Sequence, residues 1–215
     1  TESNEEKVAS AVEKLGTALT IDGAETEYTD ATVLNAVKTK VSAVLAAGET
    51  DHSSLVNASN GYALDAESFV GAENGTEDST AGTSGSCTVT VTVKSGDAEE
   101  QVEITVTLKA LGYYETADGI NAVIAAVKDA VDAGIAEVAP SSGDTAAGTK
   151  TALVAAINAK VNEVEKHGLT VTVGGLDSLT ATEPSGSAGS VAGTITISCD
   201  GGTQESVTVN VSVPA

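Results

Sequence analysis

The sequence predicts an α+β fold made of two tandem copies of an ααββββ module, each with a helix pair packed on one face of a small antiparallel sheet. Three observations predict it. The hairpin-like stretch "CTVTVTVKSGDAEEQVEITVTLKA", ending at Ala110, returns as "GTITISCDGGTQESVTVNVSVPA", ending at Ala215. Upstream of each hairpin lie two segments whose apolar residues recur with helical spacing. In the strands Thr alternates with Val or Ile, so one face of each sheet is wet and the other dry, and an amphipathic helix pair can cover the dry face. A chain of 215 residues can bury two ordinary cores, and the expected join puts the modules at residues 1–110 and 111–215.

In the first copy "SNEEKVASAVEKLGTAL" places Val8, Ala11, Val12, Leu15 and Leu19 on one helical face, opened by the capping box Ser3-x-x-Glu6. The second helix, "TDATVLNAVKTKVSAVLAAG", carries Val33, Val37, Val41 and Val44 as its stripe, with Asp30 as N-cap and Gly48 past its end. "GYALDAESFV" is expected to form two short strands, and residues 65–79 a long acidic loop before the hairpin. In the second copy the helices are "ADGINAVIAAVKDAVDAG" and "TKTALVAAINAKVNEVEKHG", closed by Gly134 and Gly168, followed by "LTVTV", a Gly174-Gly175 turn and "SLTATE".

The copies align with drifting offsets. Val102, Ile104, Val106 and Leu108 correspond to Val207, Val209, Val211 and Val213, while Val89 and Val91 are expected to correspond to Ile195 and Ile197. Ala36, Lys40, Val41 and Val44 correspond to Ala156, Lys160, Val161 and Val164, and Val8, Ala11, Val12 and Leu15 to Ile120, Val123, Ile124 and Val127. Offsets change where loops lie, because loops absorb insertions. Only Ala110, Leu111 and Gly112 obviously separate the copies, a short join.

Composition narrows the function. The chain has 31 acidic and 10 basic residues, a formal charge of -21, and every basic residue is Lys. Such a surface repels nucleic acid and anionic membranes and favours solubility at high local density. No apolar run is long enough to span a bilayer, so no membrane insertion is expected. No signal peptide precedes Thr1, and Met is absent, which is read as the mark of a processed protein or an excised fragment; a monomeric fragment of a longer chain is the preferred expectation. The aromatic residues are Tyr28, Tyr62, Phe69, Tyr113 and Tyr114, so stacking platforms for sugars are scarce. Cys87 and Cys199 are read as buried small hydrophobes, with an inter-module disulfide as the alternative.

The order of helix pair, "GLTVTV", "LTATEPSGSAGSVAGTITIS" and "ESVTVNVSVP" resembles the Ala/Thr/Val-rich tandem repeats of secreted and cell-surface proteins of Gram-positive bacteria. The resemblance covers nearly the whole chain and rests on pattern and composition. It implies an extracellular or cell-surface location, a stalk or adhesive role, and no catalytic residues to carry over.

Chemistry is sparse. His52 and His167 each follow a second helix, and His167 before Gly168 is expected to sit at a helix C-terminus. No nucleophile elbow or phosphate-cradling loop occurs, and zinc lacks a ligand set. Calcium is the one cofactor considered: Asp65, Glu67, Glu73, Glu77 and Asp78 supply hard oxygens but no recognised loop pattern, against the reading of a solvated acidic surface. Paired acids for glycoside hydrolysis lack aromatic walls, so no enzyme is expected. Tyr62, Tyr113 and Tyr114 are the candidate ligand-binding residues; Tyr113 and Tyr114 could instead fill the junction between copies. Asn57, Asn74 and Asn210 lie in N-x-S/T triplets. The expected function is a non-catalytic structural or adhesive repeat, the spacer of a larger surface or secreted protein. The alternative is a carbohydrate- or protein-binding module attached to a secreted glycan-active enzyme, with a cell-surface or cell-wall glycan or another protein as partner.

Overall fold

A computed structural model describes residues 2–215. The fold is mixed α+β, with four α-helices and eight strands in two four-stranded sheets among the described residues. The chain divides into two compact units, the first ending at Gly112 and the second spanning Tyr113–Ala215.

In the first unit α1 (Asn4–Leu15) opens with the expected capping box: Ser3 Oγ accepts the Glu6 backbone N–H, and the Glu6 carboxylate accepts the Ser3 N–H at 2.7 Å. These bonds hold the exposed Glu6 carboxyl below its ordinary value. A carboxyl lowered by folding contributes stability that is complete above its unfolded value, about pH 4, and lost as pH falls through its folded one. Ser3→Ala therefore lowers the stability of this unit at pH 7 by about 1 kcal/mol, typical for a cap. It flattens the loss of stability between pH 5 and pH 3 (about the range of carboxylate titration) only in part, because the Ser3 backbone N–H, the larger cause of the lowered carboxyl, remains in the alanine variant; urea titration at each pH reads this.

The expectation that α1 runs to Leu19 is corrected. Gly16, at φ +59°, takes a backbone conformation that suits glycine and ends the helix. Ala18–Ile21 then forms β1, parallel to β4 (Ala98–Leu108), with Thr105 N donating to Thr17 O and Lys109 N to Ile21 O. Leu19 satisfies both a helical i+4 pattern and strand alternation; the edge of β4 decides between them. The order is thus helix, strand, helix, three strands, and the sheet is mixed rather than antiparallel.

α2 (Asp30–Ala46) is capped by Thr29, not Asp30, through a reciprocal pair of bonds with Thr32. Its buried stripe is Val33, Val37, Val41 and Leu45, whereas Val44 is 36% exposed: the stripe advances four residues at each step, as one face of a helix allows. Buried Tyr28 ties the ends of β1 and β4 together by aiming its hydroxyl at the carbonyls of Asp22 and Lys109. "GYALDAESFV" forms one strand, β2 (Tyr62–Val70), with an irregularity between Asp65 and Val70 where the register against β3 (Gly85–Ser95) shifts. The acidic loop is shorter than expected. In the sheet order β1-β4-β3-β2, Cys87, Val89, Val91 and Val93 meet Val102, Ile104, Val106 and Leu108 in the core beneath the helices.

The second unit contains α3 (Ala117–Ala136), α4 (Ala146–Glu163), β5 (Thr172–Gly174), β6 (Thr180–Thr182), β7 (Gly189–Ser198) and β8 (Glu205–Val213). Gly134 does not close α3 as expected. It lies buried inside the helix where α4 crosses: a Cβ there would come within 2.6 Å of Ile157 Cα. Gly168 lies five residues beyond the last helical residue of α4, Glu163, in a turn. β5 and β6 lie end to end along one edge of β7, and β8 pairs with its other edge.

Register corrects one alignment. Val102 faces Val91 in the first hairpin, and Val207 faces Ile195 in the second. Ile195 therefore occupies the place of Val91, not Val89, and Gly189 the place of Gly85. A two-residue slip preserves strand alternation, so side-chain pattern alone could not exclude it.

Candidate functional site

The acidic candidates are spread over two structures. Asp65 and Glu67 lie exposed on β2, where Asp65 Oδ1 accepts the Glu67 N–H at 3.0 Å in a local turn. Glu73 exchanges two backbone hydrogen bonds with Thr83, at 2.8 and 2.7 Å, while Glu77 and Asp78 lie in the turn closed by Thr76 and Ser79. Among the described residues no three His, Cys, Asp or Glu side chains converge as a metal site. The organising residue of this segment is Asn74, which sequence reading treated only as a glycosylation triplet. Its amide donates to Ala24 O at 2.7 Å and accepts the Leu111 N–H at 2.8 Å, pinning the loop inside its unit.

Of the tyrosines, Tyr62 is half-buried at the start of β2; burial pushes its phenol up, and Lys38 Nζ lies 5.7 Å from the ring centroid. That geometry is a cation–π contact on a core-packed ring. Tyr113 and Tyr114 occupy a 3-10 turn (Tyr113–Glu115) leading to the Thr116 cap of α3. Their rings lie 5.1 Å apart, tilted by 60°. Tyr114 also stacks on His167, with centroids 3.7 Å apart and planes within 8°.

His167 is thereby corrected. α4 ends at Glu163, and the cation at its C-terminus is Lys166, whose Nζ donates to Val161 O at 2.8 Å and Val164 O at 3.2 Å. His167 follows in a turn, at φ +50°, with Gly168 at +81° and Leu169 N donating to Lys166 O at 2.8 Å. The two successive positive φ values are those of a type I′ turn. A non-glycine residue rarely takes this conformation, and the Tyr114 ring lies flat on the imidazole that does. The stack of half-buried Tyr114 on exposed His167 is the most specific arrangement that the candidate residues form.

His52 is 3% exposed, with its Nε2 3.3 Å from Ser10 Oγ and its backbone N–H donating to Leu45 O. It locks the end of α2 to α1, a structural post. Cys87 is buried, and burial followed by the Asp30 charge pushes its thiol up, away from the reactive thiolate. Cys199 is half-buried, and both thiols are free.

A cleft of about 660 Å³ opens beside the α3–α4 connection, lined by Glu137, Pro140, Asp144, Thr145 and Thr149 among others. Its acids are engaged: Glu137 pairs with Lys160 at 2.6 Å, and Asp144 accepts the Ser141 N–H at 2.7 Å. The nearby N-terminus of α4, which attracts anions, already holds a carboxylate, since Glu183 accepts the N–H groups of Ala146 and Ala147 at 2.8 and 2.9 Å. Sequence reading missed Glu183 because its partner helix begins 37 residues earlier.

The chain matches no family model, no curated protein and no solved structure. No described helix is long and apolar enough to cross a membrane.

Proposed function

We propose that the chain is a non-catalytic structural or adhesive repeat, two copies of one helix-pair-on-sheet module acting as the spacer or stalk of an extracellular or cell-surface protein. The observation that carries this reading is the pair of hairpins. Each starts at a buried glycine followed by Ser, Gly85-Ser86 and Gly189-Ser190, and each places its inward residues in the same cross-strand register. Duplication of one unit explains that agreement, together with the shared helix pair and the Thr-covered outer strands. The first copy then differs by the strand β1 inserted between its helices. Strong negative charge suits a stalk displayed at high density, where self-repulsion keeps neighbours apart.

The Tyr114–His167 stack favours a second reading, a glycan- or protein-binding module. A stacked ring pair, with His167 exposed and Tyr114 half-buried, is the kind of surface beside which a sugar face or a planar side chain settles. Binding of the full chain to a glycan array and to purified cell-wall polysaccharide separates the two. The spacer reading expects no saturable signal from the wild type or from Tyr62→Ala, Tyr113→Ala and Tyr114→Ala. Saturable binding reduced at least tenfold by Tyr114→Ala, with unchanged thermal unfolding, overturns it in favour of the binding module.

A further inference from the structure

The two hairpins share a register but not a neighbour. In the first unit the outer edge of β4 is occupied by β1, which runs parallel to Thr105–Leu108. In the second unit the corresponding residues, Asn210 to Val213, pair only with β7, and no described backbone group bonds to the outer edge of β8. The residues between the helices form no strand, and Ser142 Oγ donates to Ala215 O at 3.0 Å, just past the end of β8. Where the first unit breaks its helix at Gly16, α3 continues to Ala136, and the connection that follows contains Pro140 and a turn closed by Asp144 N and Ser141 O. Val211 is 9% exposed where Val106, which faces Leu19 of β1, is fully buried, while Val213 is as fully buried as its counterpart Leu108.

Open strand edges are templates for pairing, and proteins normally blunt them with charge, proline or a bulge. Between Glu205, its first residue, and Pro214, just past its end, β8 carries none of these. We propose that the outer edge of β8 is an acceptor site for an extended strand donated by a separate polypeptide, taken up in parallel along Asn210 to Val213 as β1 lies along β4. The donor chemistry follows from β1, in which half-buried Leu19 and buried Ile21 alternate with exposed Ala18 and Thr20: a short segment of branched apolar residues alternating with small ones. Because the acceptor chain carries a charge of -21, the donor lacks acidic residues. Thr105 and Lys109 donate to β1; their counterparts are Asn210 and Pro214, and proline has no N–H to offer. Asn210 and, by strand alternation, Ser212 therefore supply the recognition bonds, the usual mode of strand addition.

The inference rests on the equivalence of the two hairpins, which separate expression of the two units tests independently. The probe is the capped peptide Gly-Thr-Ala-Leu-Thr-Ile-Lys-Gly, added to the full chain while amide exchange is followed by NMR. Exchange at Asn210 and Ser212 slows at least tenfold, and the control peptide Gly-Thr-Ala-Ser-Thr-Ser-Lys-Gly leaves it unchanged. Asn210→Pro abolishes the protection while the amides of Val209 and Val211 remain protected. Should that variant fail to fold, Ser212→Pro, which touches only the last pairs of the ladder, serves instead. No protection at millimolar peptide overturns the proposal. So does protection that appears without peptide and grows with protein concentration, since β8 would then pair with β8 of a second copy.

Discussion

Gly134→Ala lowers the stability of the second unit by about 2 kcal/mol, although alanine is the better helix former by about 1 kcal/mol. The reason is the crossing of α3 and α4. A Cβ on residue 134 would meet Ile157 Cα at 2.6 Å, Ile157 N at 2.8 Å and the Ala156 carbonyl carbon at 3.1 Å. All three atoms are backbone, so no rotamer change relieves the clash and the helices must separate. Overpacking of this kind costs up to about 3 kcal/mol, and the propensity gain offsets about a third of it. Urea unfolding of the full chain measures the difference. A gain in stability would mean that the helices do not approach at Gly134.

Leu153→Ala costs the second unit about 3 kcal/mol and leaves the first unchanged. Leu153 is fully buried on α4 in the cluster with Ile124, Val127, Ile157, Ile195 and Val209. Removing its branched end forfeits transfer free energy and leaves a cavity, with a usual range of about 2 to 5 kcal/mol. For a domain of this size that corresponds to a drop of roughly 12 to 24 °C in the affected transition. Calorimetry of the full chain therefore shows one transition moved and one in place. Val33→Ala, in the first-unit core, moves the other. If either substitution shifts the whole unfolding curve, the two cores do not unfold independently.

How much of this was legible in the sequence follows from the range of the interactions. The capping box at Ser3 and Glu6, the helix stripes beginning at Val8 and Val33, and the Val ladders of β4 and β8 are local patterns, and each forms. What escaped depends on distant partners. β1 became a strand because β4, more than 80 residues later, offered an edge. Gly134 resembled a helix stop and proved to be a crossing point, because Ile157 is invisible from its own neighbourhood. The two-residue slip between β3 and β7 is undetectable by alternation, since a period of two repeats after every slip of two. Of the candidate ligand residues, Tyr114 acquired a partner in His167, 53 residues away, that no local pattern indicates. The acidic candidates were visible only as composition, which says nothing of convergence, and they spread along β2 and the loop behind it.

The account depends on two units of one design, each folding around its own core. Expressing residues 2–112 and 113–215 separately and comparing their amide NMR spectra with that of the full chain tests this most directly. The account predicts that each piece gives dispersed signals that overlay those of the full chain, apart from residues near the join, and that the two hairpins show the same ladder of cross-strand contacts, Val91 with Val102 and Ile195 with Val207. Collapsed, poorly dispersed spectra for either piece, or hairpins whose ladders differ in register, would contradict it.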